Sequence, residues 1–232
     1  MSSSTKDKLQ LIIYNFSRNN YEDPTKNHVS IALKNIIIQF TKKIFESKIL
    51  SFKQDIDFFQ LLLDKLQMTI LHKKLKLIYR ASENNFTWWS FHNKCDGHGP
   101  TIMIMHSNYG NIFGGYVSVK LPFSNVRKTC DQNMFLFLLK SNDKTVKCPI
   151  IFKSNSKYTS IRHLRSIGPL FDSKSALYSE LSISGDRCHT YKSDGFDYGN
   201  FKDSGISISG APEGAQRYAS FTLNDYEVFE II

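Results

Sequence analysis

The chain opens polar and then acquires a helical period. Residues 1–29 are Asn-rich and interrupted by Asp23-Pro24, where the residue before proline avoids the helical region and marks a turn. In "SIALKNIIIQFTKKIFESKIL" (30–50), Ile37, Phe40, Ile44 and then Glu46 or Ser47 recur at spacings of three and four with lysines between them, which predicts an amphipathic helix with Ser30 as N-cap. "DIDFFQLLLDKLQ" (55–67) predicts a second helix. There Ile56, Phe59, Leu62, Leu63 and Leu66 form an apolar stripe from which Asp55, Asp57, Asp64 and Lys65 are excluded. Both stripes are too short for a sustained coiled coil, so each is expected to bury against its own domain.

Near Leu75 the period shifts from helix to strand. "KLKLIYRAS" (74–82) alternates Leu75, Leu77 and Tyr79 against Lys76, Ile78 and Arg80. In "ENNFTWWSFHNKC" (83–95), Phe86, Trp89 and His92 or Asn93 return at helical spacing, predicting a short helix that stops at Lys94 or Cys95, because Gly97, Gly99 and Pro100 forbid its continuation. "TIMIMHSNYGNIFGGYVSVK" (101–120) predicts a hairpin turning at Asn108-Tyr109-Gly110. Gly114 and Gly115 mark a strand position where a large side chain or another backbone comes close, or a bulge. Further strands are predicted at "MFLFLLK" (134–140), "CPIIFK" (148–153), "ALYSELSIS" (176–184) and "YEVFEII" (226–232). On the last of these Asp225 and Glu227 share a side and read as solvated edge carboxylates. Many short strands with few later helices give an α+β, mainly β fold class: a two-sheet antiparallel β-sandwich with flanking helices, preceded by a helical N-terminal segment. The organisation expected is a lead-in and helical extension over residues 1–46 and a second domain over 47–232.

Composition changes this picture little. The 232 residues, 41% hydrophobic, suffice for one full core. The net charge of +9 is moderate; residues 1–74 hold 12 basic and 7 acidic side chains, and 75–232 hold 18 and 14. A basic helix around Lys34, Lys42, Lys43 and Lys48 leaves nucleic acid or an anionic membrane surface as an alternative partner class. Its charge density is nonetheless that of an ordinary solvated face, which disfavours nucleic acid. Tyr14, Asn15 and Arg18 interrupt the one early apolar stretch before a signal-peptide core can form, and no run reaches the length of a membrane span. A cytoplasmic protein without a transmembrane segment is expected, in which peripheral membrane association stays open. Cys95, Cys130, Cys148 and Cys188 form no CxxC and no disulfide ladder, so reduced thiols are expected.

The densest chemistry lies in "FHNKCDGHGPT" (91–101), which carries His92, Cys95, Asp96 and His98. One sulfur ligand and no second Cys/His pair make a poor zinc site. Cys95 stands at the C-terminal, negative end of its predicted helix, which raises a thiol pKa instead of activating it. A helix stop followed by a turn is the reading adopted. "GNIFGGY" (110–116) has strands on both flanks and so cannot be a phosphate cradle, and "GISISG" (205–210) lacks the spacing and following helix of a nucleophile elbow.

In order, "LIYRAS" (77–82), "FHNKCDGHGPTI" (91–102), "GNIFGGYVSV" (110–119), "FLFLL" (135–139), "GPLF" (168–171), "LSIS" (181–184) and "YEVFEI" (226–231) resemble the TLDc domain of the oxidation-resistance proteins. The resemblance runs from "SKIL" (47–50) to the C-terminus, and Tyr79-Arg80-Ala81-Ser82 with Lys94-Cys95-Asp96 is similar to protist TLDc proteins. It departs from the family at Lys120-Leu121-Pro122, at Asp172-Ser173-Lys174-Ser175 and in "GNFKDSGISISGAPEGAQRYASF" (199–221). The resemblance implies a β-sandwich flanked by helices, a link to oxidative-stress protection and, in several relatives, binding of the V-type proton ATPase and control of its assembly. It brings no catalytic residue, cofactor or metal, and so implies a non-enzymatic interaction module. The positions carried over, all as fold-maintaining, are Gly97, Pro100, Gly114, Gly115, Gly168 and Pro169. The rival reading is a cysteine-dependent, peroxide-reactive protein or enzyme using one of the four thiols.

Overall fold

A computed structural model describes residues 47–50, 75–123, 129–153, 160–164, 167–172, 181–184, 187–191, 208–209 and 218–232. The chain divides into two units, Met1–Leu75 and Lys76–Ile232, and the elements below lie in the second, the first strand beginning on the residue before it. The predicted helix over 55–67 lies outside the described residues, as does 30–46 of the other. Residues 47–50, assigned above to that helix, form a bend in which Ser47 Oγ accepts from the N–H of Ile49 at 3.2 Å and of Leu50 at 3.1 Å.

Strand β1 (Leu75–Arg80) leads through a 3-10 turn (Ala81–Glu83) to helix α1 (Trp88–Cys95). Ten strands follow among the described residues: β2 (Thr101–Ser107), β3 (Ile112–Val117), β4 (Thr129–Cys130), β5 (Phe135–Lys140), β6 (Ile150–Lys153), β7 (Ser160–Leu164), β8 (Ile167–Asp172), β9 (Leu181–Ser184), β10 (Arg187–Tyr191) and β11 (Tyr218–Ile231). They run in the spatial order β4-β7-β8-β9-β10-β11-β2-β3-β5-β6, each neighbouring pair antiparallel, with β1 alongside β11. The chain is therefore mainly β and antiparallel, as its periodicity predicts.

Strand β11 belongs to two sheets. Up to Thr222 it pairs with β10, and from Leu223 it pairs with β2. The register slips between Leu223 and Asp225, making Asn224 the extra residue of a bulge; such a residue bends a strand and raises its twist, which lets one strand serve both sheets. Asn224 Nδ2 secures the bend by donating to the Ser107 carbonyl at 3.1 Å.

The runs "IMIM" and "FLFLL" do not alternate because both faces of the central strands are buried. Met103, Met105, Phe113, Val117, Leu136 and Leu138 share one face and join Ile161, Phe171 and Phe221 from the second sheet in a single core, with the Phe113 and Phe221 rings edge-to-face at 5.8 Å. Buried Ile102, Ile104, Tyr116, Phe135, Phe137 and Phe229 occupy the other face. The adjacent glycines lie at the crossing of these packings. A Cβ on Gly115 would collide with the Phe171 ring, and one on Gly114 would collide with the Met103 carbonyl oxygen and approach Phe137 Cζ to 2.6 Å. At the predicted hairpin, Gly110 has φ +86 with open space around it, so the turn uses its backbone freedom and not its small size.

Candidate functional site

Helix α1 begins where Thr87 Oγ1 accepts from the Ser90 N–H at 3.3 Å. Its buried side is Phe91, His92 and Cys95, while Trp89, placed on the apolar stripe by sequence spacing, is exposed. Trp89 and Phe91, two residues apart, point to opposite sides of a helix, and Phe91 with Cys95 one turn later fills the inner one. The helix ends at Cys95 as predicted, and Gly97 turns the chain at φ +79. The Gly97 N–H donates to the Leu121 carbonyl at 2.9 Å, and the Leu121 N–H returns a bond to the His98 carbonyl at 2.8 Å. Gly99 sits so close to the neighbouring strand end that a Cβ would lie 2.5 Å from the Val119 carbonyl oxygen. Pro100, joined to it by a cis peptide, accepts from the Ile231 N–H at 2.9 Å.

The polar side chains of this stretch are distributed among separate partners. His92 Nδ1 lies 2.9 Å from Asp96 Oδ1, and His98 Nδ1 lies 3.1 Å from Glu230 Oε1, an atom that also accepts from the Gly99 N–H at 3.4 Å. Segment 91–101 is thus a splice that ties α1 to the ends of β3 and β11. Among the described residues, no group of three or more His, Cys, Asp or Glu side chains is placed to hold a metal ion.

The residues sequence reasoning missed lie deeper. Glu227 is fully buried, and its Oε1 accepts from Arg80 Nε at 2.7 Å, across 147 residues of chain; Arg80 NH1 reaches Glu83 at 2.7 Å. Burial alone would lower the Arg80 pKa, and the hydrogen bonds it donates to Glu227 and Glu83 outweigh it and hold it raised. Asp225 is half-buried and accepts from the Ser82 N–H at 2.9 Å and the Ser82 hydroxyl at 2.7 Å. The reading of Asp225 and Glu227 as solvated edge carboxylates is therefore corrected: β11 is paired on both sides and is no edge strand, Glu227 is fully buried, and Asp225, half-buried, is held by Ser82. Two further polar anchors carry no local signal in the sequence. Asp131 gathers Ser118 N–H at 2.6 Å, Ser118 Oγ at 2.5 Å and Asn133 N–H at 3.0 Å. At the hairpin, Asn111 Nδ2 donates to the Ile208 carbonyl at 3.1 Å and Ser107 Oγ to the Ser209 carbonyl at 2.6 Å, so part of "GISISG" is pinned by its backbone.

Helix splice, glycine crossing and shared terminal strand lie within a stretch that the TLDc domain family model matches, residues 44–232. The chain belongs to the TLDc domain family. No curated protein matches it. In this TLDc domain the carried-over positions fall at joints. Gly97 and Pro100 are in the splice, and Gly114 and Gly115 are at the crossing. Pairing of β7 with β8 jumps from Pro169 to Ile167, which leaves Gly168 as the extra residue of a bulge.

The thiols of the TLDc domain differ in setting. Cys95 is buried in the core, and burial first, with the Asp96 carboxylate second, pushes its thiol well above the ordinary range. A thiol held protonated is a poor nucleophile at neutral pH. Cys130 is exposed and Cys148 half-buried, and the side chain of Cys188 lies outside the described residues. Iodoacetamide at pH 7.5 is expected to label Cys130 in the folded protein and Cys95 only in denaturant. Mass spectrometry of the peptides checks this, and native labelling of Cys95 would contradict its burial.

Proposed function

We propose that this TLDc domain is a non-enzymatic, cytoplasmic interaction module linked to oxidative-stress protection, which acts by binding the V-type proton ATPase and regulating its assembly. Family membership supports the stress link. The observation that carries the non-enzymatic reading is the splice itself. Its histidines each pair with a carboxylate, its thiol is buried, and its glycines fit backbone against backbone. Among the described residues no helix is long and apolar enough to cross a membrane, so the pump would be met from its soluble side.

Affinity capture of the tagged full chain from its own cells, with and without peroxide, tests the reading. V-type ATPase subunits are expected to be enriched over a tag-only control, and recovery of no subunit under either condition would count against this partner. Exposure of Cys130 gives the competing thiol reading a foothold. If the purified protein consumed peroxide and Cys130→Ser abolished the activity, that reading would replace the one proposed.

A further inference from the structure

We propose that His106, Asp225 and Ser82 form a proton-operated latch, which frees the 3-10 turn Ala81–Glu83 from β11 when the imidazole takes up a proton. Strand register brings the parts together. His106 on β2 lies directly opposite Asp225 on β11 and, on its other side, opposite Ile112 on β3, which lies opposite Lys140 on β5. Directly opposed residues share a face of the sheet with their Cβ atoms about 5 Å apart, so Asp225, His106, Ile112 and Lys140 make one row across four strands. Ser82 joins the row through Asp225: its N–H donates to Oδ1 at 2.9 Å and its hydroxyl to Oδ2 at 2.7 Å, while the Tyr226 N–H donates to the same Oδ1 at 2.8 Å.

As the row stands, the carboxylate serves the turn and not the imidazole. No side-chain hydrogen bond holds the His106 ring among the described residues, although a neutral imidazole carries an N–H that would bond a carboxylate within reach. Burial first, and the Lys140 ammonium second, keep the His106 pKa below its ordinary value, with Asp225 acting the other way. The ring is therefore neutral at pH 7. Of the other groups around it, β3 offers only Ile112, and Glu227, the next acid along this face of β11, is taken by Arg80 of β1. A proton on the ring changes the balance, because Lys140 repels the imidazolium from one side and Asp225 attracts it from the other. An ion pair then competes with bonds from a neutral amide and hydroxyl, and a carboxylate drawn along the row leaves Ser82 behind. Since the folded chain takes up this proton less readily than the unfolded one, the latch is closed at neutral pH and loosens as the pH falls below the ordinary histidine value of about 6.5. A proton pump that stops leaves its cytoplasm to acidify, so the latch would carry that signal to the module. This use rests on the function proposed above, and the latch itself does not.

The isotope-labelled full chain is followed by NMR from about pH 8 to about pH 5, the span in which histidine titrates. The His106 ring protons give the midpoint, and hydrogen exchange of the Ser82 amide, corrected for the intrinsic rate at each pH, gives the state of the latch. As His106 titrates, Ser82 protection is expected to fall about tenfold, the effect of losing one hydrogen bond to a charged group. H106N is expected to keep its protection over the same span, with H106Q in its place if the near-UV circular dichroism of H106N departs from the parent's. K140M, which lacks the repelling ammonium, should lose protection at a higher pH than the parent. The proposal falls if Ser82 stays protected while His106 titrates, which would mean that the carboxylate serves both partners. It falls equally if the histidine variant loses protection alongside the parent, which would place the titration at Asp225, or if K140M leaves the midpoint where it was. No pump subunit is present in this experiment, so its outcome and that of the capture experiment are independent.

Discussion

Glu227→Leu is expected to cost about 3–5 kcal/mol of unfolding free energy, the usual penalty for leaving one member of a buried ion pair alone. In that variant Arg80 stays inside the protein without its buried carboxylate, and its bond to Glu83, whose side chain is half exposed, is worth about 1 kcal/mol or less. The double variant R80M/E227L removes both charges and is expected to return to within about 1 kcal/mol of the parent, since apolar pairs of similar volume commonly replace buried ion pairs without loss. Urea denaturation followed by circular dichroism measures all three proteins. A single variant as stable as the parent would mean that water reaches the pair. A double variant worse than the single would mean that the guanidinium orders more of β1 than its bond to β11 accounts for.

Gly114→Ala is expected to lose about 3 kcal/mol or more, at or beyond the top of the range for overpacking, and Gly115→Ala about 1–3 kcal/mol. The difference follows from what each methyl group would strike. At Gly115 it meets side chains, the Phe171 ring and a Leu136 methyl, which can be trimmed or can turn. At Gly114 it meets the Met103 carbonyl oxygen, part of the β2–β3 ladder, which moves only if the strands part. Phe171→Leu should accordingly rescue G115A, whereas Phe137→Leu should leave G114A nearly as unstable as before. Equal penalties at the two positions, or rescue of both, would overturn this account of the crossing.

The sequence shows some of this plainly and hides the rest for identifiable reasons. Strands β2, β3 and β5 are legible because they are apolar throughout, and the stop of α1 is legible because Gly97, Gly99 and Pro100 leave the chain few conformations. Strands β7 and β10, "SIRHL" and "RCHTY", mix charged and polar residues without a clear period, so they pass for loop. Only "YEVFEII" and the Asp225 before it read as strand, because Ser220, Thr222 and Asn224 upstream carry the polarity of a turn. Pairing with β10 and the bulge at Asn224 make strand of them, which is a tertiary effect. The Arg80–Glu227 bond is invisible for a related reason. A carboxylate in a strand is ordinarily a surface residue, and nothing local to residue 227 says that its face is covered or that Arg80, 147 residues back, lies alongside to pair with it.

That separation also bears on how the protein is made. At about 5–20 residues per second, roughly 7–30 s pass between the synthesis of Arg80 and that of its partner. For most of that interval β1 and β2 have no β11 to pair with, so their free backbone groups and apolar side chains must wait at the ribosome, shielded by other proteins or liable to stick to other nascent chains. A domain whose two sheets share their final strand cannot be completed in halves, and a chain truncated before Tyr218 would be a substrate for quality control instead of a smaller working version of itself.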